Sequence, residues 1–133
     1  MQSNLKKLTL RLCLNLGKES LLHILTKLKA LECLDISGCI NMDLMTLSKA
    51  KFAKNLRWLN IELLNPSSAD LHGLSTGIEK LSLKSCLHLS DDIAKHLSYL
   101  PQLKQVNLEN CPLITPEVIK YLNDKITNIE ICV

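Results

Sequence analysis

The sequence predicts an α/β fold, a short right-handed solenoid with a parallel sheet on its concave side and helices on its convex side. Three observations lead there. One apolar pattern recurs through all 133 residues. Each copy has a period-two core, the mark of a half-buried strand. Each core is followed by a segment with helix-start signals.

The recurring unit is L-x-x-L-x-L-x-x-C. It stands as LKKLTLRLC from Leu5 to Cys13 and as LECLDISGC from Leu31 to Cys39. LRWLNIELL, Leu56 to Leu64, has Leu in the last place. IEKLSLKSC runs from Ile78 to Cys86, and LKQVNLENC from Leu103 to Cys111. ITNIEICV, Ile126 to Val133, is a truncated sixth copy. The copies start at 5, 31, 56, 78, 103 and 126, so the steps are 26, 25, 22, 25 and 23. Residues 1–133 read as one domain of about five repeats plus the truncated sixth.

The helices follow in order. GKESLLHILTKLK and DLMTLSKAKFAK supply the first two. In the third copy Ser67 and Asp70 have the spacing of a capping box, and a shorter helix suits the step of 22. SDDIAKHLSYL has Ser90 as the expected N-cap, with Asp91 and Asp92 favouring the positive end of the helix dipole. TPEVIKYLNDK has Thr115 as N-cap and Pro116 in the first helical position. One strand and one helix cannot bury their apolar faces alone, so the units must stack.

Composition sets the class. Hydrophobic residues make up 47% and charged residues 22%, the balance of a globular chain. Aromatics are 3%, so the core is Leu and Ile, which suits thin similar layers. A net charge of +3, spread along the chain, gives no reason to expect a nucleic-acid partner. No apolar run is long enough to predict a membrane span. The start, MQSNLKKLTLRL, carries no secretory pattern. The six cysteines are therefore expected as free thiols, in the cytoplasm or alternatively in the nucleus or mitochondrion.

Cys13, Cys39, Cys86 and Cys111 share one offset, where the strand turns away from the sheet. A small buried thiol fits such a turn and can make weak hydrogen bonds to backbone. Cys33 and Cys132 lie outside that column. Zinc needs ligands paired at short spacing, and none are so paired. A catalytic cysteine needs a histidine base, but His23, His72, His88 and His96 fall in or beside the outer helices, away from a common groove. No phosphate loop, nucleophile elbow or zinc-protease motif occurs. No enzyme activity, cofactor, metal or small-molecule substrate is expected. Lys49, Lys51 and Lys54 read as the solvated face of an outer helix.

Alternation sends the remaining strand residues to the concave side. One row holds Lys7, Cys33, Trp58, Lys80, Gln105 and Asn128. The next holds Thr9, Asp35, Asn60, Ser82, Asn107 and Glu130, and the third Arg11, Ser37, Glu62, Lys84, Glu109 and Cys132. The candidate contacts for a protein partner are Arg11, Asp35, Trp58, Asn60, Glu62, Lys84, Asn107 and Glu109. Trp58, the sole tryptophan, either packs over the rim of the stack or offers a binding anchor. Neither end shows a polar cap, so a partner, a second copy or further chain is expected to cover an end layer.

The units LDISGCINM, LSLKSCLHLSDD and VNLENCPLITPE resemble the cysteine-containing leucine-rich repeats of F-box proteins and antagonist-of-mitotic-exit-like proteins. They are also similar to the repeats of mitochondrial ATP synthase subunit s and related membrane-arm assembly factors. The resemblance covers nearly the whole chain. In F-box proteins it implies a repeat module that selects a substrate while the F-box docks to a ubiquitin-ligase scaffold. The stretch before Leu5 has no room for an F-box, so a bare module is expected, or the repeat part of a longer ligase receptor. The second family implies a structural or assembly subunit.

Overall fold

The computed structural model describes residues 3–47 and 53–133. It shows an α/β chain with one six-stranded, wholly parallel sheet whose strands run in sequence order. The strands are β1 (Lys7–Thr9), β2 (Cys33–Asp35), β3 (Trp58–Asn60), β4 (Lys80–Ser82), β5 (Gln105–Asn107) and β6 (Glu130–Cys132). Among the described residues there are four α-helices: α1 (Ser20–Lys27), α2 (Ser68–Leu71), α3 (Ile93–Ser98) and α4 (Pro116–Lys125). Residues 44–47 form a short 3-10 turn. The rest of the expected second helix, with Lys49 and Lys51, lies outside the described residues, while Lys54 is exposed.

Register follows the apolar column. Leu8, Leu34, Leu59, Leu81, Val106 and Ile131 sit side by side at the strand centres. The four inner ones are buried, whereas Leu8 and Ile131 are half-buried because each has a strand on one side only. Each helix lays a short apolar stripe on this core: Leu21 and Leu25 from α1, Leu71 from α2, Ile93, Ala94 and Leu97 from α3, Val118 and Leu122 from α4. The i, i+4 spacing places these on one helical face. Just before the strands, Lys6, Glu32, Arg57, Glu79 and Lys104 alternate in sign, and Lys6–Glu32 and Lys104–Glu79 pair at 3.6 and 3.4 Å. Exposed pairs of this kind contribute little singly, but like charges side by side would oppose the register.

The strand exits are built alike. Leu12, Gly38, Leu63, Ser85 and Asn110 all have φ between 55° and 70°. Each immediately precedes the cysteine column. Leu12, Gly38, Leu63 and Ser85 donate their N–H to the carbonyls of Ser37, Glu62, Lys84 and Glu109 in the next layer, at 2.8–3.2 Å. The ladder thus continues past the strands into the turn. Gly38 suits the left-handed backbone, and a Cβ there would run into Leu12. Leu12 and Leu63 hold the same conformation at a steric cost of about 1–2 kcal/mol each.

Two expectations need correction. The sixth strand is registered two residues later than the repeat template places it. Glu130, not Asn128, stands opposite Gln105, and Cys132 stands opposite Asn107. Helix α4 runs ten residues, so Ile126 serves as its C-cap and Asn128 turns the chain at φ 58°. Asn128 therefore leaves the open face, Glu130 joins the row of Trp58, and Cys132 moves to the second row. Ser90 is not the cap of α3, since Asp92 occupies the N-cap. The Ser90 hydroxyl donates to Asp92 Oδ1 at 2.6 Å and holds that carboxyl below its usual range. Asp91 instead accepts Thr115 N–H at 2.9 Å and Thr115 Oγ1 at 2.7 Å, in the following layer. Thr115 and Pro116 do start α4 as expected, and Ser67 and Asp70 form the full capping box of α2.

Two substitutions test this wiring. Asp91→Ala strips both acceptors from Thr115 and should lower unfolding stability in urea by about 1–2 kcal/mol. Leu63→Asn relieves the left-handed backbone at an exposed site and should raise stability by up to about 1 kcal/mol. A loss on Leu63→Asn would contradict the strain reading.

Candidate protein-binding face

The open side of the sheet carries three rows fixed by the strand register. Row one is Lys7, Cys33, Trp58, Lys80, Gln105 and Glu130. Row two is Thr9, Asp35, Asn60, Ser82, Asn107 and Cys132. Row three, where the chain leaves the strands, is Arg11, Ser37, Glu62, Lys84 and Glu109.

The structure divides the eight candidate residues by what they already bond. In row two, Asp35, Asn60 and Asn107 each accept the backbone N–H two residues on, from Ser37, Glu62 and Glu109, at 2.9–3.0 Å. These side chains fix the strand exit, as Asx turns do. Arg11 donates to Ser37 Oγ at 3.1 Å and to Glu62 at 3.2 Å. Ser37 Oγ donates to Asp35 Oδ1 at 2.6 Å, and Asn60 Nδ2 donates to Glu62 Oε2 at 3.0 Å. Arg11, Ser37, Asp35, Asn60 and Glu62 therefore form one connected network over β1 to β3. Asn60 is buried, and the Glu62 side chain is only 13% exposed. Lys84 and Glu109 pair at 3.2 Å and are partly exposed. Of the eight, Trp58 is the one large apolar group, and it is 37% exposed.

Trp58 borders a depression of about 420 Å³ that extends over β4. Its floor is Ser82, a short side chain where the neighbouring layers carry Asn60 and Asn107. Ser82 Oγ is buried without a hydrogen-bond partner among the described residues. Asn60, Glu62, Lys80, Gln105 and Asn107 complete the wall. On the other side of Trp58, Lys7 Nζ lies 5.9 Å from the ring centroid. Lys7, Lys80 and Gln105 are the functional candidates that the choice of eight passed over. Their signal was their position in the row of Trp58.

The thiols have other work. Cys39 Sγ donates to the Leu10 carbonyl at 2.8 Å, Cys86 to Ile61 at 3.6 Å and Cys111 to Leu83 at 3.1 Å. Each bond runs to the preceding layer, opposite to the backbone ladder. Cys13, in the first layer of the described residues, reaches Arg11 O in its own turn at 3.9 Å. Burial pushes Cys39, Cys86 and Cys111 above the ordinary thiol pKa, partly offset by N–H groups of the preceding exit turn. They are neutral thiols at pH 7, whereas the nucleophile and metal ligand is the thiolate. All six cysteines are free. Among the described residues, no group of three His, Cys, Asp or Glu could hold a metal, and no helix is long and apolar enough to cross a membrane. The four histidines do not all stay apart: His72 and His96 meet edge to face at 5.4 Å on the helical side, away from the open face.

A group whose folded pKa is raised contributes stability below its unfolded pKa and loses it as pH rises through the folded value. The thiols' contribution to unfolding stability should therefore stay level up to about pH 8 and fall above it, because an unfolded thiol titrates near 8.5. Cys86→Ala should shallow that alkaline fall. Cys86→Ser, which replaces the thiol by a more strongly hydrated hydroxyl, should cost about 1–3 kcal/mol at pH 7. An unchanged alkaline slope in Cys86→Ala, followed by urea unfolding across pH, would contradict the assignment.

No protein-family profile matches the chain, and no curated protein matches it.

Proposed function

We propose that the chain is a leucine-rich-repeat solenoid that acts as a non-catalytic protein-interaction module, with the open face of its sheet as the binding surface. One observation carries this reading. Trp58 stands partly exposed in an otherwise polar row, beside a depression whose walls offer amide, ammonium and carboxylate groups. Exposed tryptophan is enriched among residues that dominate binding energy. A single sheet with strands in sequence order and a recurring exit turn supports the solenoid assignment. In the form suggested by the repeat subtype, the face selects a substrate for an F-box-type ubiquitin ligase in the cytoplasm.

The apolar ends favour a second reading, a structural or assembly subunit of a larger complex. At the first layer Leu12, Leu14 and Leu22 are exposed. At the last, a depression of about 750 Å³ is lined by Leu108, Pro112, Ile114, Ile119 and Val133. Stacked-repeat proteins need such end layers covered.

Quantitative affinity capture from cells separates the two. Trp58→Ala should weaken capture of a specific partner by about 2 kcal/mol or more, with little change in melting temperature. Loss of the partner on Leu14→Glu but not on Trp58→Ala would move the binding surface to the first end layer and favour the assembly reading. A partner retained by both variants would overturn both.

A further inference from the structure

Resting on the reading that this face binds protein, we propose that its occupant is an acidic peptide segment, laid along row one, in which two carboxylates bracket an aliphatic or aromatic side chain. The argument is charge bookkeeping by row. In rows two and three the acids already have partners: Glu62 takes Arg11, Glu109 takes Lys84, and Asp35 takes the hydroxyl and N–H of Ser37. In row one, Lys7 and Lys80 flank Trp58, and neither has an acidic partner among the described residues. The one acid of that row, Glu130, stands two strands beyond Lys80. Within row one the two ammonium groups nearest Trp58 thus lack a counter-charge, while the Glu62 carboxylate that also lines the depression is neutralised by Arg11 and the Asp35 charge sits in row two. An acidic ligand gains two charge pairs there, while a basic one meets two ammonium groups.

Spacing narrows the ligand. β1 and β4 are three strands apart, about 14 Å at the usual inter-strand distance. An extended peptide rises about 3.3 Å per residue, so four residues span that gap. Residues i, i+2 and i+4 of an extended chain share one face. The fitting pattern is acid-x-apolar-x-acid with the apolar residue over Trp58, because the long Lys7 side chain already leans across β2 to within 5.9 Å of that ring and Lys80 stands on the neighbouring strand, so each ammonium can meet a carboxylate about 7 Å along the peptide. The Gln105 side-chain amide and the Asn107 amide N–H2 have no hydrogen-bond partner among the described residues, so they are free to bond the ligand backbone.

Trp58 is the sole tryptophan, so its fluorescence reports on this spot alone. The test titrates the chain with three synthetic peptides: acid-x-leucine-x-acid, the same with amides for acids, and the same with lysines for acids. The acidic peptide should shift the emission saturably. The amide peptide should bind about tenfold more weakly or worse, and raising salt should weaken the acidic peptide. Lys7→Glu and Lys80→Glu should each weaken the acidic peptide about tenfold without changing the melting temperature. Equal binding of the acidic and amide peptides, unaffected by the lysine variants but lost on Trp58→Ala by calorimetry, overturns the acidic ligand and leaves the face as a protein-binding surface. Preference for the lysine peptide, or no saturable response to any peptide, overturns the proposal. In that last case the capture experiment with Trp58→Ala decides separately whether the face binds protein at all.

Discussion

The turn at the end of each strand is the constraint on which the rest depends. There the backbone passes through a left-handed residue, and its N–H reaches forward to a carbonyl of the next layer. The following thiol reaches back to a carbonyl of the layer before. At Gly38–Cys39 and Ser85–Cys86 a layer is thus tied in both directions within two residues, while Leu12 and Leu63 tie only forward and Cys111 only back. Shifting a strand by one residue would break both ties and turn its Leu or Ile outward. Because backbone groups at this depth must be paired, the exit turn fixes register as firmly as the apolar column does.

That arrangement explains why cysteine suits the position. The site is buried and small, and it needs a weak donor rather than a strong one. A thiol is an apolar filler that can still point its S–H at a carbonyl. Leu64 stands in for it in the third layer, which shows that filling the volume is the larger requirement. Among the described residues no layer stands behind the first, and there the thiol bonds within its own turn. With the thiols spent on structure and the charges of row three paired, Trp58 and its two lysines are what the sheet offers to other molecules.

Much of this was legible in the sequence. The spacing of Leu34, Leu59, Leu81 and Val106 gives strand centres directly, because period-two alternation and a fixed offset leave one register. The capping box at Ser67 and Asp70 and the Pro116 start of α4 are local signals that the structure keeps. The sixth copy misled for a physical reason. Ile126, Ile129 and Ile131 fit the template two ways, and the length of α4 decides between them. Ser90 and Asp91 misled because their side chains were assigned to their own helix, whereas Asp91 serves the next layer. On the open face, alternation correctly put Asp35 and Asn60 among the polar rows. It could not show that they hold the exit turn, nor that Lys7 and Lys80 lack the acidic partners that Arg11 and Lys84 have. Pairing is a property of neighbours one or two layers distant in sequence, and no local pattern records it.

The most direct test of the account is the native-state reactivity of the six thiols, resolved by mass spectrometry after brief alkylation at neutral pH. Cys39 and Cys86 should stay unmodified until the chain unfolds, with Cys111 close behind, while Cys13, Cys33 and Cys132 react in the folded state. Rapid modification of Cys39 or Cys86 in the folded protein would contradict the claim that these thiols are buried ties between layers.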